Sequence, residues 1–322
     1  MLTSQQVKEF ARQSGADLVG ITSMDRFEGA PKQLDPRYIF PDAQSIIMLG
    51  FRILRGTLRG IEEGTYFIGY SAMGYAAINH VRQPMVLWDI CNWLEDQGYE
   101  TVPMPNEQPW PGTDILGDRP EIVGPPRPDK FSRPVSPDKP APDVVLHMRI
   151  AAYCAGLGEI GWSKVFLTPE FGPRQRLAAI ITDAPLEADP IFEGGLCDRC
   201  MCCVKDCSGK AISATETVKV KVAGRDLEWS NVDFSKCSKA FCGGNYELNP
   251  FMMNDEEEKG FNQHVWTAQT YKVRPTYDYG RALEGASGCI RACMVHLESQ
   301  EKLKNTFHRP FRSRKPWRMN HW

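Results

Sequence analysis

Four cysteines, Cys197, Cys200, Cys203 and Cys207, follow one another with gaps of two, two and three residues. That spacing is the run used by bacterial two-cluster iron–sulfur proteins, with Ser208 where the run has proline. The chemistry explains the spacing. Three thiolates two residues apart wrap a tight loop around one 4Fe–4S cubane, and the fourth points to a second cluster. Cys202 is an extra cysteine that does not fit the run. A zinc knuckle is the alternative, but zinc sites use separated cysteine pairs.

A partner set lies downstream: Cys237, Cys242, Cys289 and Cys293. Cys289 and Cys293 keep the terminal gap of three, while Ala286 stands where a preceding cysteine would be and Met294 replaces the proline. Each run in a two-cluster protein donates its last cysteine to the other cluster. The first cluster is therefore expected on Cys197, Cys200, Cys203 and Cys293. The second takes Cys207 and Cys289, with Cys237 and Cys242 to complete it; a three-iron cluster or a non-cysteine fourth ligand stays open. Cys91 and Cys154 read as small buried hydrophobes, and the lone His80 and His147 read first as structural residues.

The elements that must hold these ligands are legible in outline. Thr3 and Gln6 have capping-box spacing ahead of a helix that Gly15 would end. Residues 16–21, 45–51, 99–102 and 176–182 read as strands, and 72–97 as a long helix interrupted near Pro84. Twelve of the 24 prolines crowd into 103–143, a loop of the kind that covers a site or links domains. Residues 301–322 form a basic, aromatic tail. A net charge of −2, with 42% hydrophobic and 24% charged residues, fits a globular protein and gives no field for nucleic acid. The start shows no apolar leader and no twin-arginine pair, and no run of 18 apolar residues occurs. A cytoplasmic protein without a membrane span is expected, in which thiols stay reduced and structural disulfides are disfavoured.

Ahead of the cysteines come Ala155-Gly-Leu-Gly-Glu-Ile-Gly161, Leu167-Thr-Pro-Glu-Phe-Gly-Pro-Arg174 and Ile181-Thr-Asp-Ala-Pro-Leu-Glu-Ala-Asp-Pro190. This series, leading into Cys197, resembles the cobalamin-dependent reductive dehalogenases and their relatives the epoxyqueuosine reductases. The likeness covers about residues 145–295. It implies a base-off corrinoid lying against the N-terminal domain, lined by Gly156, Gly158, Gly161, Thr168, Pro169, Glu170, Phe171 and Gly172. It also implies a tyrosine beside a basic residue as proton donor, for which Tyr66, Tyr70, Tyr75 and Tyr153 are the candidates, with His147 as a further one. The Asp-Ser/Thr-x-Pro segment that bears a catalytic acid in epoxyqueuosine reductases has no counterpart at Asp143–His147, and a downstream helical repeat region of the kind that would hold tRNA is not seen, which speaks against a tRNA enzyme.

The expected fold class is α+β: an α/β corrinoid-binding-like domain (1–190, carrying the proline-rich loop 103–143), a ferredoxin-like domain with two 4Fe–4S clusters (191–300) and the tail (301–322). The expected function is an oxidoreductase that uses iron–sulfur clusters and cobalamin. It reductively cleaves a carbon–halogen or carbon–oxygen bond of a small organic substrate. A reduced ferredoxin, flavodoxin or reductase is the expected electron donor. The competing readings are a non-catalytic two-cluster electron-transfer protein and a cluster-based redox sensor.

Overall fold

The structure, a computed structural model, describes residues 2–106, 112–113, 130–241 and 288–311. Its strands are β1 (Leu18–Ser23), β2 (Ser45–Arg52), β3 (Thr101–Met104), β4 (Glu159–Ile160), β5 (Phe166–Leu167), β6 (Gln175–Thr182), β7 (Ile212–Val222) and β8 (Arg225–Val232). Its α-helices are α1 (Ser4–Ser14), α2 (Arg59–Glu63), α3 (Gln83–Asp96), α4 (Met148–Cys154), α5 (Cys202–Lys205), α6 (Phe234–Phe241) and α7 (Cys289–Ser299). Thr3 and Gln6 form the capping box of α1, and Gly15 closes the helix at φ 114°, a left-handed position natural to glycine.

The central sheet has the order β1-β2-β6-β3, and every neighbouring pair is antiparallel. This corrects the α/β description of the N-terminal part; the sheet is of the α+β kind. The reason lies in the connections. Parallel neighbours need a helical crossover, whereas β1 turns back into β2 through short 3-10 turns. The later strand β6 then enters between β2 and β3, antiparallel to both. Residues alternate across the sheet as the pleat requires. Ile47, Leu49 and Ile180 pack with Val7 and Ala11 of α1 and Leu87 and Ile90 of α3. Ile46, Met48 and Ile181 face the other way, onto Ile150 and Ala151 of α4 and Trp229 of β8. Both faces are covered, so β2 is buried at every residue but the last.

The long helix expected over 72–97 is regular only from Gln83, with Pro84 in the first turn of α3, where its missing amide costs nothing. Ahead of it, Tyr70–Ala76 and Ile78–Arg82 coil as wider π-type turns, a geometry common at functional sites. The hairpin β7–β8 was not legible as such. It turns through Ala223 and Gly224, both at positive φ.

Candidate functional site

The first cysteine run curls because Arg199 and Met201 both take positive φ, 57° and 60°. It ends in the short helix α5, which carries Cys202 and Cys203. Helix α7 carries Cys289 and Cys293 one turn apart, so both thiols leave the same face. The neighbours of these two thiols differ. Cys293 lies within electrostatic reach of Cys197, Cys203 and Cys200. Cys289 lies within reach of Cys237, Cys207 and Cys203. Cys197 and Cys200 thus lie on the Cys293 side, here called the first thiol group, and Cys207 and Cys237 on the Cys289 side, here called the second, with Cys203 within reach of both. Cys242 and Ala286 lie outside the described residues. Cys202 sits beside Cys200 and His296, their ligand atoms within 4.8 Å of one another, although His296 Nε2 already pairs with Asp198 at 2.8 Å.

The donor set fits a cationic metal core. Burial, followed by the neighbouring cysteines, pushes the Cys203 thiol up to about 11 and Cys289 to about 12, and raises Cys293 as well. Thiols packed this closely repel one another as thiolates, and ionise together only around metal. Backbone amides are aimed at two of the sulfurs: Trp162 N donates to Cys197 Sγ and Ala211 N to Cys207 Sγ, each at 3.3 Å. Cys91 and Cys154 are buried in the two cores away from these groups. Burial raises both thiols, Cys154 to about 12.

Arg291, between the two cysteines of α7, is buried and ties this helix to the rest of the chain. Its Nε pairs with Glu62 of α2, and its Nη1 with Asp206 of the first run at 2.8 Å. One guanidinium therefore ties the sheet-bearing part to both cysteine runs.

Next to the second thiol group lies a buried polar site. Arg176 at the start of β6 donates to the Tyr70 hydroxyl at 2.7 Å, and its guanidinium lies 4.6 Å from the ring centre of Tyr75. Tyr75 packs against Phe241 of α6, the helix of Cys237, and edge-on to His80. Tyr70 is wholly buried. Burial raises its phenol above the ordinary value more than Arg176 lowers it, and Tyr75 and Cys289 push in the same direction as burial. Arg149 of α4 faces Arg176, Cys289 and Cys237; burial, then Arg176, lowers its affinity for its proton. Among the described residues, Arg176 Nε, Asn79 Oδ1 and His80 Nε2 are buried with no hydrogen-bond partner. Sequence reasoning found the tyrosines but missed Arg149 and Arg176. The signal available was an arginine beside the His147 helix start and another opening an otherwise apolar strand.

The remaining candidates fall elsewhere. His147 caps α4, its Nδ1 accepting from Ile150 N at 3.3 Å, and its ring stacks near Trp229. Tyr153 lines a surface groove with Glu159, Trp162, Cys197 and Arg225, on the side of the first thiol group. Tyr66 is exposed. The glycine segments pack on the chain itself. A Cβ at Gly158 would sit 1.9 Å from Leu167 O, and one at Gly156 would sit 2.2 Å from Pro190 O. A Cβ at Gly161 or Gly172 would meet leucine side chains. Thr168 is buried, donating to Gln175 Oε1 and accepting from the Phe171 amide, while Glu170 pairs with Lys304. Pro169 O accepts from Lys304 N. At the position a Cβ would take, Gly156 and Gly158 thus face backbone oxygens, and Gly161 and Gly172 face leucine side chains.

No family model matches the chain. A tetrachloroethene reductive dehalogenase from Sulfurospirillum multivorans is 33% identical over 110 residues, 30% of this chain and 22% of that enzyme. A solved reductive dehalogenase, described with a mechanism for B12-dependent dehalogenation, superposes with a TM-score of 0.51 at 18% identity, covering 93% of this chain and 36% of the other. An epoxyqueuosine reductase from Bacillus subtilis reaches 0.45 at 16% identity, over 92% of this chain and 82% of the other. The expected resemblance to reductive dehalogenases therefore holds in sequence, and in fold. The chain spans little more than a third of the solved dehalogenase, and its match covers under a quarter of the curated one. Among the described residues no helix is long and apolar enough to cross a membrane.

Proposed function

We propose that the chain is an iron–sulfur and corrinoid oxidoreductase that reductively cleaves a carbon–halogen or carbon–oxygen bond in a small organic molecule. One observation carries this reading: a buried tyrosine, Tyr70, hydrogen-bonded to Arg176 and within electrostatic reach of Cys289 of the second thiol group. A proton donor with a cationic neighbour beside a redox centre is what a reductive cleavage requires.

Cys197, Cys200, Cys203 and Cys293 would hold one 4Fe–4S cluster; Cys207, Cys237 and Cys289, with Cys242, would hold the other. A corrinoid would supply a low-valent metal able to break the bond. The chain's own residues do the rest. Tyr70 keeps its proton at neutral pH, because burial holds the phenol neutral. Arg176 stabilises the phenolate left after the proton is given up, and Arg149 with Arg176 offers positive charge to the departing halide or oxygen anion. The groove is lined by Cys197, which would be a ligand of the first cluster, and so would suit entry of electrons from a reduced ferredoxin, flavodoxin or reductase.

Anaerobic titration of the reconstituted protein with cobalamin tests the reading. A saturable change to the base-off absorbance spectrum is expected, with iron content unchanged. A wild-type protein that carries clusters yet binds no cobalamin would contradict it and favour a two-cluster electron carrier.

A further inference from the structure

The first cysteine run is held at its entrance by one carboxylate. Glu159 stands on β4, paired through Glu159↔Leu167 with β5, and its side chain reaches across to the loop that opens the run. A single oxygen, Oε1, accepts from both Leu196 N and Cys197 N, each at 2.6 Å. The loop is shaped to receive it. Gly194 and Gly195 take φ of 92° and 101°, and a Cβ at Gly194 would sit 2.9 Å from Glu159 Oε2. Only a residue without a side chain lets the backbone fold over the carboxylate there. The neighbouring strand end supplies Trp162 N to Cys197 Sγ at 3.3 Å, so β4 and the turn after it fix both the backbone and the sulfur of the same cysteine.

The acceptor oxygen serves to hold the loop, but its charge is not needed to ligate iron. A loop amide is satisfied by water or a neutral acceptor, and a carboxylate near thiolates adds a like charge where charge is already crowded. A fixed negative charge next to a cluster opposes the arrival of an electron, and cluster potentials follow local charge and hydrogen bonding. We propose that Glu159 is a positioning residue for the first cluster, which holds Cys197 in place and lowers that cluster's reduction potential relative to the second. The inference rests on the two-cluster reading above. A low-potential first cluster passes its electron inward to the second, toward Tyr70 and Arg176, and does not retain it.

The test uses the full chain, reconstituted anaerobically and titrated with dithionite in the presence of redox mediators while the paramagnetic signals are recorded. Each reduced cluster gains one electron from dithionite. The first cluster's signal is assigned as the one altered by Cys200→Ser. Glu159→Gln keeps an acceptor oxygen for both amides and removes the charge. It is expected to raise the first cluster's midpoint potential, leave the second unchanged and retain the wild-type iron content. Glu159→Ala removes charge and acceptor together, and is expected to raise the potential and also lose iron from the first cluster on dilution. If Glu159→Gln leaves the first potential at the wild-type value, the proposed role is overturned, even if Glu159→Ala folds poorly. If the wild-type protein takes up zinc and no iron, both this inference and the reading it rests on fall.

Discussion

At the scale of single residues, the site depends on which groups are buried with a charge beside them. Tyr70 and Tyr75 lie in one stretch, yet only Tyr70 is wholly buried with its hydroxyl bonded to Arg176. Tyr70→Phe keeps the ring in the core and removes one proton donor. It should lower the rate of reductive cleavage by about a hundredfold or more, with iron content unaltered. Tyr75→Phe should cost little, because the cation–ring contact survives. Since burial raises the Tyr70 phenol above 10.0, the donor keeps its proton through the neutral range, and the rate should not fall as pH rises from 6 to 9 on its account. A rate falling with an apparent pKa near 7, abolished by Tyr70→Phe, would contradict this assignment. The cysteine types and gaps were readable from the chain because ligand spacing is local. Arg149 and Arg176 were not, because their meaning comes from two elements distant in sequence meeting beside Cys289.

At the scale of elements, α7 is where the cysteine chemistry and the fold meet. Its two cysteines reach different thiol groups, and the arginine between them reaches α2 and the first run. Cys203→Ser and Cys207→Ser should therefore alter different paramagnetic signals in the reduced protein, although they are neighbours in sequence; a shared change confined to one signal would reject the crossed ligation. Arg291→Met removes the cation and leaves the buried Glu62 facing it without that partner. A loss of about 3–5 kcal/mol is expected, measured by denaturant unfolding of the metal-loaded protein. A change below about 1 kcal/mol would mean that the contact is solvated and holds little. The strands and α1 were legible because periodicity and capping are local properties. The antiparallel order of the sheet was not, since strand pairing is set by which later segment inserts. Gly158 shows the same limit. Its freedom was visible in the sequence, but its use, against Leu167 O, was not.

At the scale of the whole molecule, Cys197 lines the groove and lies within reach of Cys293, while Cys289 lies within reach of Cys207, Cys237 and Tyr70. On the proposed function, electrons would enter beside Cys197 and be used beside Tyr70. It all depends on the two thiol groups holding iron and sulfide. The most direct measurement is iron, acid-labile sulfide and zinc per chain after anaerobic purification and reconstitution. The account predicts about eight irons and about eight sulfides per chain, from two cubanes. Tightly bound zinc with little iron and no sulfide would contradict it.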